Sequence, residues 1–134
     1  MIGAIIITHG KLAEVLIATA EGIAGRLENV RCISIDPCDS AKCISDAISN
    51  NIKTMNKEDG VIILTDMFGG TPSNIGLSFL EPGKVEILTG VNLPMLLKFT
   101  GHRTDKTLPE LAMLLKEHGQ KSIVLASEML KGKV

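Results

Sequence analysis

Four short runs of aliphatic, largely β-branched residues, each followed by a stretch with helical spacing, leave this chain few folds to choose from. The runs are Ile2–Thr8, Val30–Ile35, Val61–Thr65 and Val85–Thr89. The first and third are apolar almost without alternation, which is the pattern of a strand covered on both faces in a parallel sheet. Between the runs, Leu12, Val15, Leu16, Thr19, Ala20, Ile23 and Leu27 recur at helical spacing over Leu12–Leu27. Ser40 is placed to cap a helix through about Met55, with Cys43, Ile44, Ala47, Ile48 and Ile52 toward the sheet. Thr71 as N-cap and Pro72 at the first helical position predict a short helix to about Leu80, broken by Glu81-Pro82-Gly83. Leu93-Pro94 opens a helix through about Phe99. Thr107-Leu108-Pro109-Glu110 reads as a capping box that starts a helix ending near His118-Gly119. A short last strand is expected over Ser122–Ala126, and a final helical turn over Ser127–Lys131.

Such alternation predicts a doubly wound α/β three-layer sandwich, one domain over residues 1–134. Right-handed crossovers require one reversal of winding to cover both faces. A parallel sheet of order 2-1-3-4 puts the first and third strands side by side at the switch point, with a ligand site beyond their C-terminal ends. The first run ends in Thr8-His9-Gly10 and the third runs into Asp66.

Composition narrows the function classes. A net charge of -1 and no basic tract beyond Lys131-Gly132-Lys133 give no electrostatic case for nucleic acid. Three Phe and neither Tyr nor Trp remove the ring platforms expected around a flavin, a stacked base or a free sugar. Cys32, Cys38 and Cys43 are odd in number without C-x-x-C spacing, and are expected as buried or half-buried reduced thiols. The N-terminal apolar run is too short for a signal-peptide core and has no basic leader, and nothing approaches a membrane span, so a cytoplasmic protein is expected.

His9 is the sharpest candidate for chemistry. A neutral imidazole has one free lone pair and can attack phosphorus to give a phosphoramidate labile enough to be passed on. Gly10 removes bulk beside the ring, and the start of the following helix can turn N–H groups toward phosphate oxygens. A lone histidine at a strand end can equally be an ordinary surface residue, and Asp66 can be a turn residue. Together they make a different case: a carboxylate bonded to one ring nitrogen fixes the tautomer, frees the other nitrogen and stabilises the cationic ring formed on attack.

Gly69-Gly70-Thr71-Pro72 offers successive N–H groups at a helix start, a nest for a transferring phosphoryl group, although Gly-Gly before a capped helix is also common turn chemistry. The Thr71 hydroxyl can donate to a phosphate oxygen or cap the helix, and Thr8 can line the same pocket. His102 and His118 read as solvated or dipole-favoured residues. Asp36, Asp39, Asp46, Asp59 and Asp105 show no metal spacing, and without a Walker lysine motif no nucleotide, metal or other cofactor is expected.

Thr8-His9-Gly10 after a short N-terminal strand resembles the phosphorylation site of the mannose-family enzyme IIA domains of the bacterial phosphoenolpyruvate–sugar phosphotransferase system. Asp66-Met67-Phe68-Gly69-Gly70-Thr71-Pro72-Ser73-Asn74 is similar to that family's D-x-[FW]-G-G-[ST]-P-x-N signature, and Gly90-Val91-Asn92-Leu93-Pro94-Met95-Leu96 to its G-V-N-[IL]-P-M-L segment. The resemblance covers most of the chain and is weakest after Gly101.

It implies that His9 accepts a phosphoryl group from the histidine-containing phosphocarrier protein and passes it to a histidine or cysteine of a IIB component serving a membrane sugar permease. Asp66 would be the histidine's partner and Thr71 the hydroxyl beside the phosphoryl group, with Thr8, Gly10, Gly69 and Gly70 around it. It also implies a homodimer in which Ser122–Ala126 adds antiparallel to the partner's sheet, and, with no fused IIB segment, a free-standing IIA. A regulatory phosphoprotein without a transport role and the phosphoryl-donor subunit of a dihydroxyacetone kinase remain open beside it. Two other readings fail on residues: a receiver domain needs acidic residues where Thr8-His9 stand, and histidine phosphatases put an arginine where Thr8 is.

Overall fold

A computed structural model describes residues 1–67 and 71–132, and of residues 71–73 the backbone alone. The elements run β1 (Gly3–His9), α1 (Leu12–Ala24), β2 (Val30–Ile35), α2 (Ala41–Thr54), β3 (Val61–Thr65), α3 (Thr71–Leu77), β4 (Val85–Thr89), α4 (Leu93–His102), α5 (Leu108–Lys121) and α6 (Ala126–Leu130). The four strands form one parallel sheet of order β2-β1-β3-β4. This is the predicted doubly wound arrangement, with β1 and β3 adjacent at its centre and Ile7 paired with Thr65.

Alternation along the central strands divides their side chains between two cores. Ala4, Ile6, Ile62 and Leu64 pack with Ala13 and Ala20 of α1, Leu96 and Phe99 of α4, and Leu111 and Leu115 of α5. Ile5, Ile7, Val61 and Ile63 pack on the opposite face with Ile44 and Ile48 of α2 and Ile75 of α3. Arg103, 5% exposed just past α4, lies 4.7 Å over the Phe99 ring, and its Nε and Nη2 donate to the Ile2 carbonyl at 3.0 and 2.8 Å. Those bonds tie the end of α4 to the start of β1 and keep the strand in register at the end of the sheet away from His9.

Caps set the helix starts. Ser40 accepts from the Cys43 N–H at 3.1 Å and Asn92 from the Met95 N–H at 2.9 Å, while Thr107 and Glu110 make the predicted capping box. The ends obey tertiary contacts. α1 stops at Gly25, whose φ of 91° is open to glycine, short of the expected Leu27. α3 closes at Leu77 in turns, before Leu80. α4 continues past Phe99 to His102. α5 does not end at His118-Gly119 but passes through to Lys121: a Cβ on Gly119 would come within 2.8 Å of the Met95 Cε, so this glycine serves close approach to α4 rather than a stop.

Three further expectations are corrected. Ser122–Ala126 is not a strand within the chain: residues 123–125 carry no regular structure and α6 begins at Ala126, since a strand needs a neighbour to receive its hydrogen bonds and no described strand pairs with this segment. Cys32, Cys38 and Cys43 are exposed rather than buried. Cys43 falls one position off the Ile44–Ile48 stripe, and Cys32 alternates with Ile33 and Ile35, which take the α2 side of the edge strand β2. Finally, α1 buries Ala13 and Ala20, with Leu16 and Ile17 packed beside them, while Leu12, Val15 and Ile23 stand in the open. No helix among the described residues is long and apolar enough to cross a membrane.

Candidate functional site

His9 is the last residue of β1, and Asp66 directly follows β3. Because those strands are neighbours, residues 57 positions apart meet at the C-terminal edge of the sheet. Gly10 makes the exit from the strand possible. Its N–H donates to the Ile35 carbonyl at 3.0 Å and its φ is 57°, in the left-handed region that favours glycine. A Cβ there would meet nothing within 4 Å, so backbone conformation, not crowding, is what selects glycine.

One carboxylate oxygen holds the histidine twice. Asp66 Oδ2 accepts from the His9 backbone N–H at 3.0 Å and stands 2.9 Å from the ring Nδ1. Burial works to raise the Asp66 pKa, but the backbone and ring bonds from His9 outweigh it and hold the carboxyl below its ordinary 3.8. Asp66 is therefore ionised at neutral pH and can only accept, which makes Nδ1 the protonated nitrogen and leaves the Nε2 lone pair free. The side chains are 53% exposed for His9 and 14% for Asp66, so the imidazole reaches solvent with the carboxylate behind it. Asp66 Oδ1 and the hydroxyl of the fully buried Thr65 have no hydrogen-bond partner among the described residues.

Thr8 occupies a different position from the one expected. It is completely buried, and its Oγ1 accepts from the Ala13 N–H at 2.7 Å, so its oxygen secures the first turn of α1 instead of lining an open pocket. Sequence reasoning missed this because Lys11, at the N-cap position, makes no side-chain cap. That vacancy was the available signal, but no local rule reaches back five residues into a strand. Thr8→Val keeps the shape and removes the acceptor. It should lower stability by about 1–2 kcal/mol in urea unfolding.

Gly69, Gly70 and the side chain of Thr71 lie outside the described residues; the Thr71 backbone opens α3. His102 closes α4, its Nδ1 3.5 Å from Asp105 Oδ1, and His118 lies in the last turns of α5, both on elements other than those that carry the His9–Asp66 pair.

An exposed imidazole with one nitrogen fixed by a half-buried carboxylate, at the switch point of a parallel sheet, is suited to act as the nucleophile in a group transfer. The family model EIIA-man, described as PTS system fructose IIA component, matches residues 3–115. The chain belongs to this family. The family is that of the EIIA components of the sugar phosphotransferase system.

It is 31% identical over 132 residues to the PTS system fructose-specific EIIA component of Bacillus subtilis, covering 98% of this chain and 90% of that protein. It is 32% identical over 124 residues to the PTS system mannose-specific EIIAB component of Escherichia coli, covering 91% of this chain but only 38% of that longer protein. Among solved structures, the phosphotransferase system component EIIA of Streptococcus agalactiae superposes with a TM-score of 0.86 at 27% identity, covering 95% of this chain and 98% of that one.

Proposed function

We propose that this EIIA component is a phosphohistidine carrier, with Nε2 of His9 as the atom that takes the phosphoryl group. The observation that carries the reading is the 2.9 Å contact between Nδ1 and Asp66 Oδ2, which leaves a single ring nitrogen with a lone pair facing solvent. The Nε2 pair forms a bond to phosphorus as the N–P bond of the donor's phosphohistidine breaks, and that bonding pair returns to the donor ring. The His9 ring then carries positive charge with its Nδ1–H still bonded to Asp66, and the anionic carboxylate stabilises that charge. No proton has to leave the site. Catalysis consists of position and charge, as phosphoryl transfer generally requires.

On this reading the donor is the histidine-containing phosphocarrier protein and the acceptor a IIB component that serves a sugar permease. Thr71, Gly69 and Gly70 are assigned to the phosphoryl oxygens on motif grounds, with Gly10 leaving room beside the ring. The relatives carry different sugars in their names, fructose for one and mannose for another. That supports a division of labour in which the sugar is chosen elsewhere than at His9.

We place a homodimer beside this function. Ile123, Val124 and Leu125 are 79%, 57% and 62% exposed, and Ile123 reaches a cleft lined by Leu88, Thr89 and Gly90 along the unpaired edge of β4. An extended apolar segment next to a free sheet edge suits strand addition between two copies. A monomer in sedimentation at micromolar concentration would count against it.

The test of the carrier function is incubation with phosphoenolpyruvate, enzyme I and the phosphocarrier protein, followed by mass spectrometry. A single acid-labile adduct on the peptide containing His9, discharged on adding IIB, is the expected result. An unlabelled protein or an adduct elsewhere contradicts it. Discharge only by dihydroxyacetone kinase subunits would keep the histidine and change the acceptor.

A further inference from the structure

Arg103 is the only charged side chain that is buried among the described residues. A guanidinium carries five N–H donors in a fixed fork. Nε and one hydrogen of Nη2 go to the Ile2 carbonyl, and the Phe99 ring takes one face of the group. The remaining donors have no acceptor among the described residues, and no carboxylate there stands within ion-pair distance. Buried charges are ordinarily paired, because a carbonyl and a ring face replace only part of the lost hydration. Burial accordingly lowers the Arg103 pKa from its ordinary value, and the charge of Glu28, too distant to pair, opposes that shift only in part.

The unspent side of the fork opens on a cleft. Nη1 is unpartnered yet not sealed from solvent, and Arg103 lines a cleft of about 310 Å³ between the ends of α1 and α4. Arg26, exposed and also without a salt bridge among the described residues, lines it too, with Glu28 and the exposed Thr104. Ala24 and Leu27 give it an apolar wall. Two guanidinium groups therefore face one carboxylate. The cleft sits where β1 begins, roughly 20 Å from His9 at ~3.3 Å per strand residue.

We propose that this cleft binds a small phosphate-bearing anion between Arg103 and Arg26. The proposal does not depend on the reading of His9. One guanidinium fork satisfies a carboxylate, whereas a tetrahedral phosphate can accept from the free edge of Arg103 and from a second guanidinium in another direction. The volume, at the low end of small-ligand sites, holds more than the bare ion, and the apolar wall suits a short carbon chain. Free phosphate and a phosphomonoester share this chemistry. Glu28 repels either one and limits the affinity.

The experiment follows backbone amide shifts of the full chain during titration with inorganic phosphate and, separately, with glycerol phosphate, at ionic strength held constant with sodium chloride. Saturating shifts are expected at residues 24–28 and 100–104, with half-saturation below about 10 mM. Arg26→Ala weakens binding about tenfold or more, and Glu28→Gln tightens it. Arg103→Lys keeps the charge and loses the fork, so a folded variant that binds as tightly as the unaltered chain overturns the role of Arg103. Arg26→Ala, at an exposed position, carries the test if that variant does not fold. Unchanged affinity in Arg26→Ala overturns the proposal, as do shifts that sodium chloride alone reproduces. Shifts confined to residues 9–13 overturn it and place the anion at the histidine. Tighter binding of glycerol phosphate upholds the site and assigns the carbon chain to the apolar wall, while equal binding upholds it for the phosphate group alone. None of these readouts involves phosphoryl uptake, so failure here leaves His9 as acceptor, and a His9 that takes no phosphoryl group leaves the cleft.

Discussion

With His9 as the proposed acceptor, His9→Ala is expected to abolish phosphoryl uptake and leave the fold in place. On the proposed reading the imidazole holds the Nε2 lone pair that makes the transfer, and His9 is the one ring the described residues bring to Asp66. Its removal costs little stability because the ring is half exposed and belongs to neither core. Asp66 is not orphaned either, since its Oδ2 keeps the bond from the backbone N–H of residue 9. The stability change should stay within about 1 kcal/mol, the net worth of one ordinary hydrogen bond. Labelling from phosphoenolpyruvate through the general phosphotransfer proteins reads the first outcome and urea unfolding the second. Retained label would remove His9 from the mechanism, and a protein that no longer folded would mean the imidazole has a structural role its exposure does not suggest.

Asp66→Asn slows transfer by about 10²–10⁴-fold while His9 remains present, an effect of the size seen when a histidine is held in the wrong tautomer. With its oxygen at the Oδ2 position the carboxamide still accepts from both the His9 backbone N–H and Nδ1–H, so the local chain path survives and only the charge is lost. With its nitrogen at that position instead, the carboxamide donates to Nδ1, favours the tautomer with its proton on Nε2, where the lone pair is needed, and leaves the His9 backbone N–H without its acceptor. The variant also loses the negative charge that stabilises the cationic ring. A single-turnover rate with saturating phosphorylated carrier measures the loss, and a rate within a factor of three of the unaltered chain would contradict the assignment.

The same substitution has a pH signature. Burial alone would raise the Asp66 pKa, yet the bonds from His9 lower it in the folded state. A lowered folded pKa means the ionised form adds stability that is fully present above the ordinary value of 3.8 and fades as pH falls through the depressed one. Any stability gap between the unaltered chain and Asp66→Asn should therefore hold steady from neutral pH to about 5 and close only in strong acid.

Much of this architecture is decided by short-range chemistry. β-branched runs make strands, and a run without polar alternation makes a strand covered on both sides, as Ile5, Ile6 and Ile7 are. Ser40 and Thr107 start helices because their side-chain oxygens bond N–H groups only a turn away. The site residues were legible for a related reason: if the doubly wound sheet has the order 2-1-3-4, the ends of β1 and β3 are neighbours, and a histidine on one can meet a carboxylate on the other. The cysteines, the ends of α4 and α5 and the burial of Thr8 were not legible, because each depends on what another element places beside it.

Local sequence thus determined which segments are strands and helices, where several helices begin, and that His9 and Asp66 each stand at a strand end. The strand order that makes them neighbours came from the tertiary structure. Tertiary structure alone decided that Oδ2 grips both the backbone and Nδ1 of His9, that Thr8 turns inward to Ala13, and which flank of α1 is left bare beside the imidazole. Periodicity and capping act over a few residues and can be read along the chain. Burial and the choice of a hydrogen-bond partner depend on neighbours that arrive from distant positions only when the layers close.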